Sequence, residues 1–116
     1  MPDLIYERPE GRRSYLSTAK HQFNAQNEHA KWISINIERD LFDYADYGNY
    51  QKEPDTNIGW ICISGNMFSL QQDRSSVGRD MEQFGFFQAP ANPQGEWHGF
   101  PIIPFSKSRY NISDEL

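Results

Sequence analysis

The stretch Ile58-Gly59-Trp60-Ile61-Cys62-Ile63-Ser64 decides the fold prediction, because it offers apolar side chains to both faces of a β-strand. Gly65-Asn66 follows directly, and glycine at the first loop position favours a type II′ turn. The segment 67–72 then has the composition of a returning strand. The sequence therefore predicts a β-hairpin with its central strand at residues 58–64.

A two-residue turn also sets the register of this hairpin. The predicted cross-strand pairs are Ser64 with Met67, Ile63 with Phe68, Ile61 with Leu70, Cys62 with Ser69, and Trp60 with Gln71. The isoleucine pairs make one face apolar, whereas the opposite face is mixed. We expect the apolar face to lie on the core.

Residues 31–37 alternate in polarity, with Ile33, Ile35 and Ile37 on one side, which predicts a half-buried strand. Apolar residues recur at helical spacing over 14–27, after Ser14 as a helix cap, and again near 76–84, where Gly85 would end the helix.

Three shorter segments also have extended character. Leu4-Ile5-Tyr6 is predicted as a short edge strand, and Phe86-Phe87 as another strand. Two prolines between Glu96 and Phe105 allow at most an edge strand there. The fold prediction is one α+β domain over residues 1–116. Its small antiparallel sheet has three to five strands, built on 31–37, 58–64 and 67–72, with two short helices packed on the isoleucine face.

Composition narrows the function classes. A chain of 116 residues with a formal charge of -5 is one domain by length, and its acidity argues against a broad nucleic-acid footprint. The single cysteine, Cys62, excludes an intramolecular disulfide framework and fits a cytoplasmic location. Neither a signal peptide nor a membrane span is expected, so we predict no membrane partner.

Residues 38–57 form the most unusual segment, with six acidic residues against two basic ones and tyrosines between them. Carboxylates steer association with basic proteins, and tyrosines give contact area at low entropic cost. We therefore predict a non-enzymatic protein-binding module, resembling an inhibitor or an immunity or antitoxin protein, with a basic partner. The predicted contact residues are Asp40, Asp43, Tyr44, Asp46, Tyr47 and Tyr50. Alternatively, this segment is a solvated loop or short helix whose aromatic residues cover the sheet edge.

The segment Gly95-Glu96-Trp97-His98-Gly99 supports a rival hypothesis. His98 could act as general acid or base, Glu96 could orient it, and Arg109 could stabilise phosphate charge. These three residues would suit a small metal-independent hydrolase acting on RNA. The alternative interpretation is that Trp97 anchors a turn and that His98 is an ordinary polar residue.

No cofactor or metal is predicted. His21, His29 and Glu28 lack the spacing of a zinc site, Cys62 has the surroundings of a buried thiol, and no phosphate-binding glycine loop is present. Arg8, Arg12, Arg13 and Lys20 could form a small basic patch. Self-association through Trp32 and Trp60 is a third possibility.

Overall fold

The computed structural model describes residues 2–52, 59–61, 65–92 and 94–103, and at 59–61 it describes the backbone alone. These ranges contain six strands, one α-helix and a single 3-10 turn at Ala19–His21. The elements are β1 (Leu4–Tyr6), β2 (Tyr15–Ser17), α1 (Ile35–Tyr47), β3 (Gly59–Ile61), β4 (Met67–Ser69), β5 (Phe84–Gln88) and β6 (His98–Ile102).

The strands form two antiparallel sheets. β1 pairs with β2, and the larger sheet has the order β3-β4-β5-β6. Leu16 joins the two sheets, because its N–H donates to the carbonyl oxygen of Trp97 at 2.8 Å, directly before β6. The α+β class is thus consistent with the prediction, and so are the strands predicted at Leu4–Tyr6 and Phe86-Phe87. Pro101 lies on β6, which is an edge strand as its proline requires.

One face of the larger sheet packs against α1. Met67 pairs with Phe87 on this face, and both join the core with Leu41 and Phe42 of the helix. Gly85 leaves room for the indole of Trp32, since a Cβ atom at residue 85 would lie 2.9 Å from that ring. The glycine that we predicted as a helix end is therefore a strand position where a ring needs space.

The opposite face of the sheet forms a second apolar cluster. Phe68, Phe86 and Phe100 lie side by side across β4, β5 and β6, with neighbouring ring centroids 5.3 and 5.4 Å apart. His21 stacks on Phe100 with a centroid distance of 4.9 Å. The sheet is thus apolar on both faces, and its two sides bury different sets of aromatic rings.

The predicted hairpin register is wrong. Ile61 lies opposite Met67 and Trp60 opposite Phe68, so five residues, and not two, separate the paired strand ends. The side chain of Asn66 contacts a residue outside the hairpin: its oxygen accepts a hydrogen bond from the N–H of Ala89 at 2.8 Å. Gly65 does adopt a positive φ of 78°. The predicted pairs at 62–64 lie outside the described residues.

The strand predicted at 31–37 is also wrong, because α1 begins at Ile35. The hydroxyl of Ser34 accepts a hydrogen bond from the N–H of Ile37 at 3.1 Å and caps the helix. The buried positions that follow are Glu38, Leu41, Phe42, Ala45 and Asp46. They have helical spacing, but two of them are acidic, so the apolar residues alone do not show the helical period.

The two predicted helices are not present. Residues 14–27 hold β2 and the 3-10 turn, and Ser17 of β2 is buried although it is polar. Residues 76–83 form a loop closed by Glu82, whose carbonyl oxygen accepts hydrogen bonds from the N–H groups of Val77 and Gly78, and Phe84 is the first residue of β5. Met81 in this loop is 79% exposed and has a positive φ of 70°, which an α-helix does not allow.

Candidate functional site

The solvent face of α1 carries Asp40, Tyr44 and Tyr47, which follow each other at one-turn spacing. Tyr44 is 41% exposed and Tyr47 is 57% exposed, and Asp40 is exposed as well. We name these three residues the tyrosine stripe. They are the part of the predicted contact surface that the fold presents to solvent.

Asp46 lies on the other side of the helix and has no solvent exposure. Three arginines from the N-terminal segment surround its carboxylate. Arg8 pairs with it directly, Arg12 donates from Nε and Nη2 at 3.1 Å, and Arg13 donates from Nη1 at 2.8 Å. We name Arg8, Arg12 and Arg13 the arginine cluster. Burial works to raise the pKa of Asp46, but the hydrogen bonds from the arginine cluster outweigh it and lower that pKa.

Asp43 is tied to the same segment. Its carboxylate pairs with Arg8 and accepts a hydrogen bond from the hydroxyl of Tyr6 at 2.6 Å. Arg8 itself has a side chain that is only 3% exposed, so its contacts with Asp43 and Asp46 lie largely out of water. Two of the predicted partner-binding acids are thus paired with arginines of the same chain, and they offset two of the three positive charges that these arginines bring to the predicted basic patch.

Two residues of the arginine cluster, Arg8 and Arg12, also contact Tyr47 of the tyrosine stripe. The guanidinium of Arg12 lies 4.5 Å from the ring centroid of Tyr47, and that of Arg8 lies 5.6 Å from it. These cation–π contacts orient a side chain that is otherwise more than half exposed. Tyr47 is therefore preorganised on the surface.

Tyr50 does not belong to this surface. It is 1% exposed and lies in the main core with Phe42 and Met67. The alternative interpretation of the tyrosines, that they cover the sheet, applies to Tyr50 but not to Tyr44 or Tyr47.

Glu38 is a buried acid that the sequence did not mark as special. Its two oxygens accept hydrogen bonds from the hydroxyls of Tyr15 and Ser17, at 2.6 and 2.7 Å. Burial raises the pKa of Glu38 from 4.5 to about 7, against the opposing effect of these two hydrogen bonds and of the Arg39 charge. Such a carboxyl changes its charge near neutral pH, which is a common property of functional sites.

The residues of the hydrolase hypothesis are only partly placed by the structure. His98 is half-buried at the start of β6, Glu96 is exposed, and Arg109 lies outside the described residues. Burial lowers the pKa of His98, and the positive charge of Lys20 lowers it further. Neutral His98 is therefore the dominant form at pH 7, which suits a general base.

His21 is a buried histidine for which the sequence predicted no role. Burial lowers its pKa to about 4, and its Nδ1 lies 2.6 Å from the carbonyl oxygen of Ala30. Its ring centroid lies 5.6 Å from that of His29. Within the described ranges, however, no three His, Cys, Asp or Glu side chains converge closely enough to hold a metal ion.

Trp32, proposed above for self-association, is 1% exposed in the core, and its indole N–H donates to the carbonyl oxygen of Gly99 at 3.3 Å. It is therefore buried within its own chain. The described part of the chain also contains no helix with the length and apolar character needed to cross a membrane.

Comparison with known proteins finds no family model, no curated protein and no solved structure that matches this chain. The functional argument consequently depends on the residues themselves.

Replacing Asp46 tests the arginine cluster. We expect Asp46→Asn to lower the free energy of unfolding by about 3–5 kcal/mol, because Arg8, Arg12 and Arg13 all lose their shared buried carboxylate and Asp43 pairs with Arg8 alone among them. Urea denaturation at pH 7 measures this loss. Asp40→Asn is the matched control and should change stability by less than about 0.5 kcal/mol, since Asp40 is exposed. Equal stability of the two variants would contradict the assigned role of Asp46.

Proposed function

We propose that the protein is a non-enzymatic protein-binding module whose contact surface is the tyrosine stripe of α1. The observation that supports this proposal most directly is the exposure of Tyr44 and Tyr47, one turn apart on a helix, whereas most of the other aromatic rings among the described side chains are buried. Tyrosine is enriched among the residues that dominate binding energy at protein interfaces.

Preorganisation strengthens the proposal. The ring of Tyr47 is already oriented by Arg8 and Arg12, and both tyrosines project from a regular helix. A side chain that is ordered before binding loses less conformational entropy when a partner covers it. The arginine cluster therefore contributes to binding indirectly, through the position of the ring.

The partner that we propose is a basic protein, as an inhibitor or immunity-like function requires, but the charge that faces it differs from the sequence expectation. Asp43 and Asp46 are engaged by arginines, so Asp40 supplies the carboxylate of the stripe. The formal charge of -5 for the whole chain adds a long-range attraction for a basic protein. In this proposal, aromatic contact provides the affinity and the carboxylate favours a cationic side chain next to the tyrosines.

A photo-crosslinking amino acid at position 47 tests the proposal in the native host. We expect it to capture one basic protein, whereas the same amino acid at Met81, which is 79% exposed in a loop, should not. With that partner purified, the double variant Tyr44→Ala/Tyr47→Ala should weaken the dissociation constant about 30-fold or more in calorimetry, as expected for interface hot spots. The single variant Asp40→Lys should also weaken binding, because its positive charge repels a basic partner. This loss should be larger at low salt than at high salt.

Gln72→Ala, at another exposed position, is the matched control and should bind like the wild type. The proposal is wrong if the tyrosine variants bind the captured protein with unchanged affinity, or if positions 47 and 81 capture the same proteins.

A small RNA-directed hydrolase is the second candidate, favoured by the neutral His98 beside the charge of Lys20. In this candidate His98 accepts the proton of the attacking 2′-hydroxyl, and Lys20 stabilises the negative charge that develops on the phosphate. The phosphorus–oxygen bond to the 5′-oxygen breaks, that oxygen takes a proton from water, and a 2′,3′-cyclic phosphate is left on the other fragment. Glu96 and Arg109 are the further residues that we proposed for this site.

Incubation of labelled RNA with the purified protein in a metal chelator tests this candidate. Under the hydrolase hypothesis we expect cleavage that falls at least 100-fold in His98→Ala and rises with pH through the pKa of His98. His29→Ala serves as a control histidine. The absence of cleavage by the wild-type protein, or equal cleavage by His98→Ala, would exclude His98 as the catalytic base.

A further inference from the structure

A cleft of about 480 Å³ opens beside the first turn of α1. Its walls are mainly apolar and include Phe23, Trp32, Ile33 and Ile35, and Glu38, which is 1% exposed, also lines it. We name it the Glu38 cleft. Its volume lies within the range of sites that bind small molecules, and such sites usually combine apolar walls with a few polar groups.

Two residues of the cleft are unusually exposed for apolar side chains. Phe23 is 47% exposed and Ile33 is 41% exposed. Trp32, which also lines the cleft, is in contrast almost fully buried. The cleft therefore combines an exposed apolar rim with a fixed aromatic residue, which is an arrangement that favours an apolar ligand.

Glu38 gives the cleft its chemical character, because it is the one ionisable side chain among the described residues that line it. The hydroxyls of Tyr15 and Ser17 donate to one carboxylate oxygen each. A carboxylate has about four lone-pair positions, so acceptor capacity remains on each oxygen. The two hydroxyls also fix the orientation of the carboxylate before any ligand arrives.

We propose that the Glu38 cleft binds a small amine with an aromatic or branched aliphatic body, whose ammonium group pairs with the carboxylate of Glu38. Charge complementarity argues for a cation, since an anion would be repelled by the carboxylate, and the apolar walls favour the hydrocarbon body. This site differs from the tyrosine stripe, because Glu38 lies on the buried face of α1 and Tyr44 and Tyr47 lie on its exposed face.

The ionisation of Glu38 gives the binding a defined pH dependence. The groups that act on its carboxyl are Tyr15 and Ser17 from β2 and the Arg39 guanidinium from the same helix. With the pKa of Glu38 near 7, the carboxylate is about one-tenth populated at pH 6 and about nine-tenths populated at pH 8. Amine affinity should consequently rise about tenfold between these two pH values, with release of a proton.

Three probes of similar size and different charge test this proposal by calorimetry: 2-phenylethylamine, 2-phenylethanol and phenylacetate. At pH 8 we expect the amine to bind the wild-type protein about tenfold or more tightly than the alcohol, and the phenylacetate to bind most weakly. In Glu38→Gln the preference for the amine should disappear, together with the pH dependence. Asp40→Asn, which removes an exposed acid of the same helix, is the matched control and should retain the preference.

Ile33→Arg provides a second test that does not disturb the buried carboxylate. Its charged side chain at the exposed rim should block the cleft and repel an ammonium group, so binding of the amine should fall about tenfold or more. A circular dichroism spectrum and an unfolding curve like those of the wild type would show that the fold is intact. The proposal is overturned if the amine does not bind, if it binds no better than the alcohol, or if its preference survives in Glu38→Gln.

Discussion

Two buried carboxylates on one helix hold the N-terminal segment against the rest of the molecule. Glu38 lies in the first part of α1 and accepts hydrogen bonds from Tyr15 and Ser17, while Asp46, about 12 Å further along the axis, pairs with the arginine cluster. The apolar positions Leu41, Phe42 and Ala45 lie between these two anchors and pack into the core. The position of α1, and with it the tyrosine stripe and the Glu38 cleft, depends on both anchors.

The two acids differ in their partners, and this difference sets their charge. Neutral hydroxyls surround Glu38, so burial dominates and its pKa rises to about 7. Guanidinium groups surround Asp46, and their hydrogen bonds lower its pKa in spite of burial. One helix thus carries a carboxyl that can switch charge near neutral pH and another that stays ionised.

Sequence patterns predicted short apolar strands, but they missed elements that bury polar residues, and they gave a wrong hairpin register and a helix at 76–84 that is not present. The strand at Phe86-Phe87 and the edge position of Pro101 followed from composition alone. A helix in 38–57 was only the alternative interpretation, and the start of α1 was predicted as a strand, because Glu38 and Asp46 occupy core positions. β2 was mistaken for part of a helix, and its buried polar residue Ser17 does not appear in a hydrophobic pattern. The pairing of Asp43 and Asp46 with arginines was not predicted either, since charge in a sequence does not reveal which carboxylates are already paired. The three arginines at positions 8–13 were the sequence feature that could have indicated this pairing, because acidic and basic segments of one chain can neutralise each other.

The most direct test of this account is a carbon-13 NMR titration of the side-chain carboxyl groups in the folded wild-type protein. The account predicts that the carboxyl of Glu38 titrates with a pKa of about 7. It also predicts that the carboxyl of Asp46 stays ionised at pH values below its ordinary pKa until the protein unfolds in acid. Titration of both groups near their ordinary pKa values of 4.5 and 3.8 would contradict it. It would show that neither carboxylate anchors the helix as described.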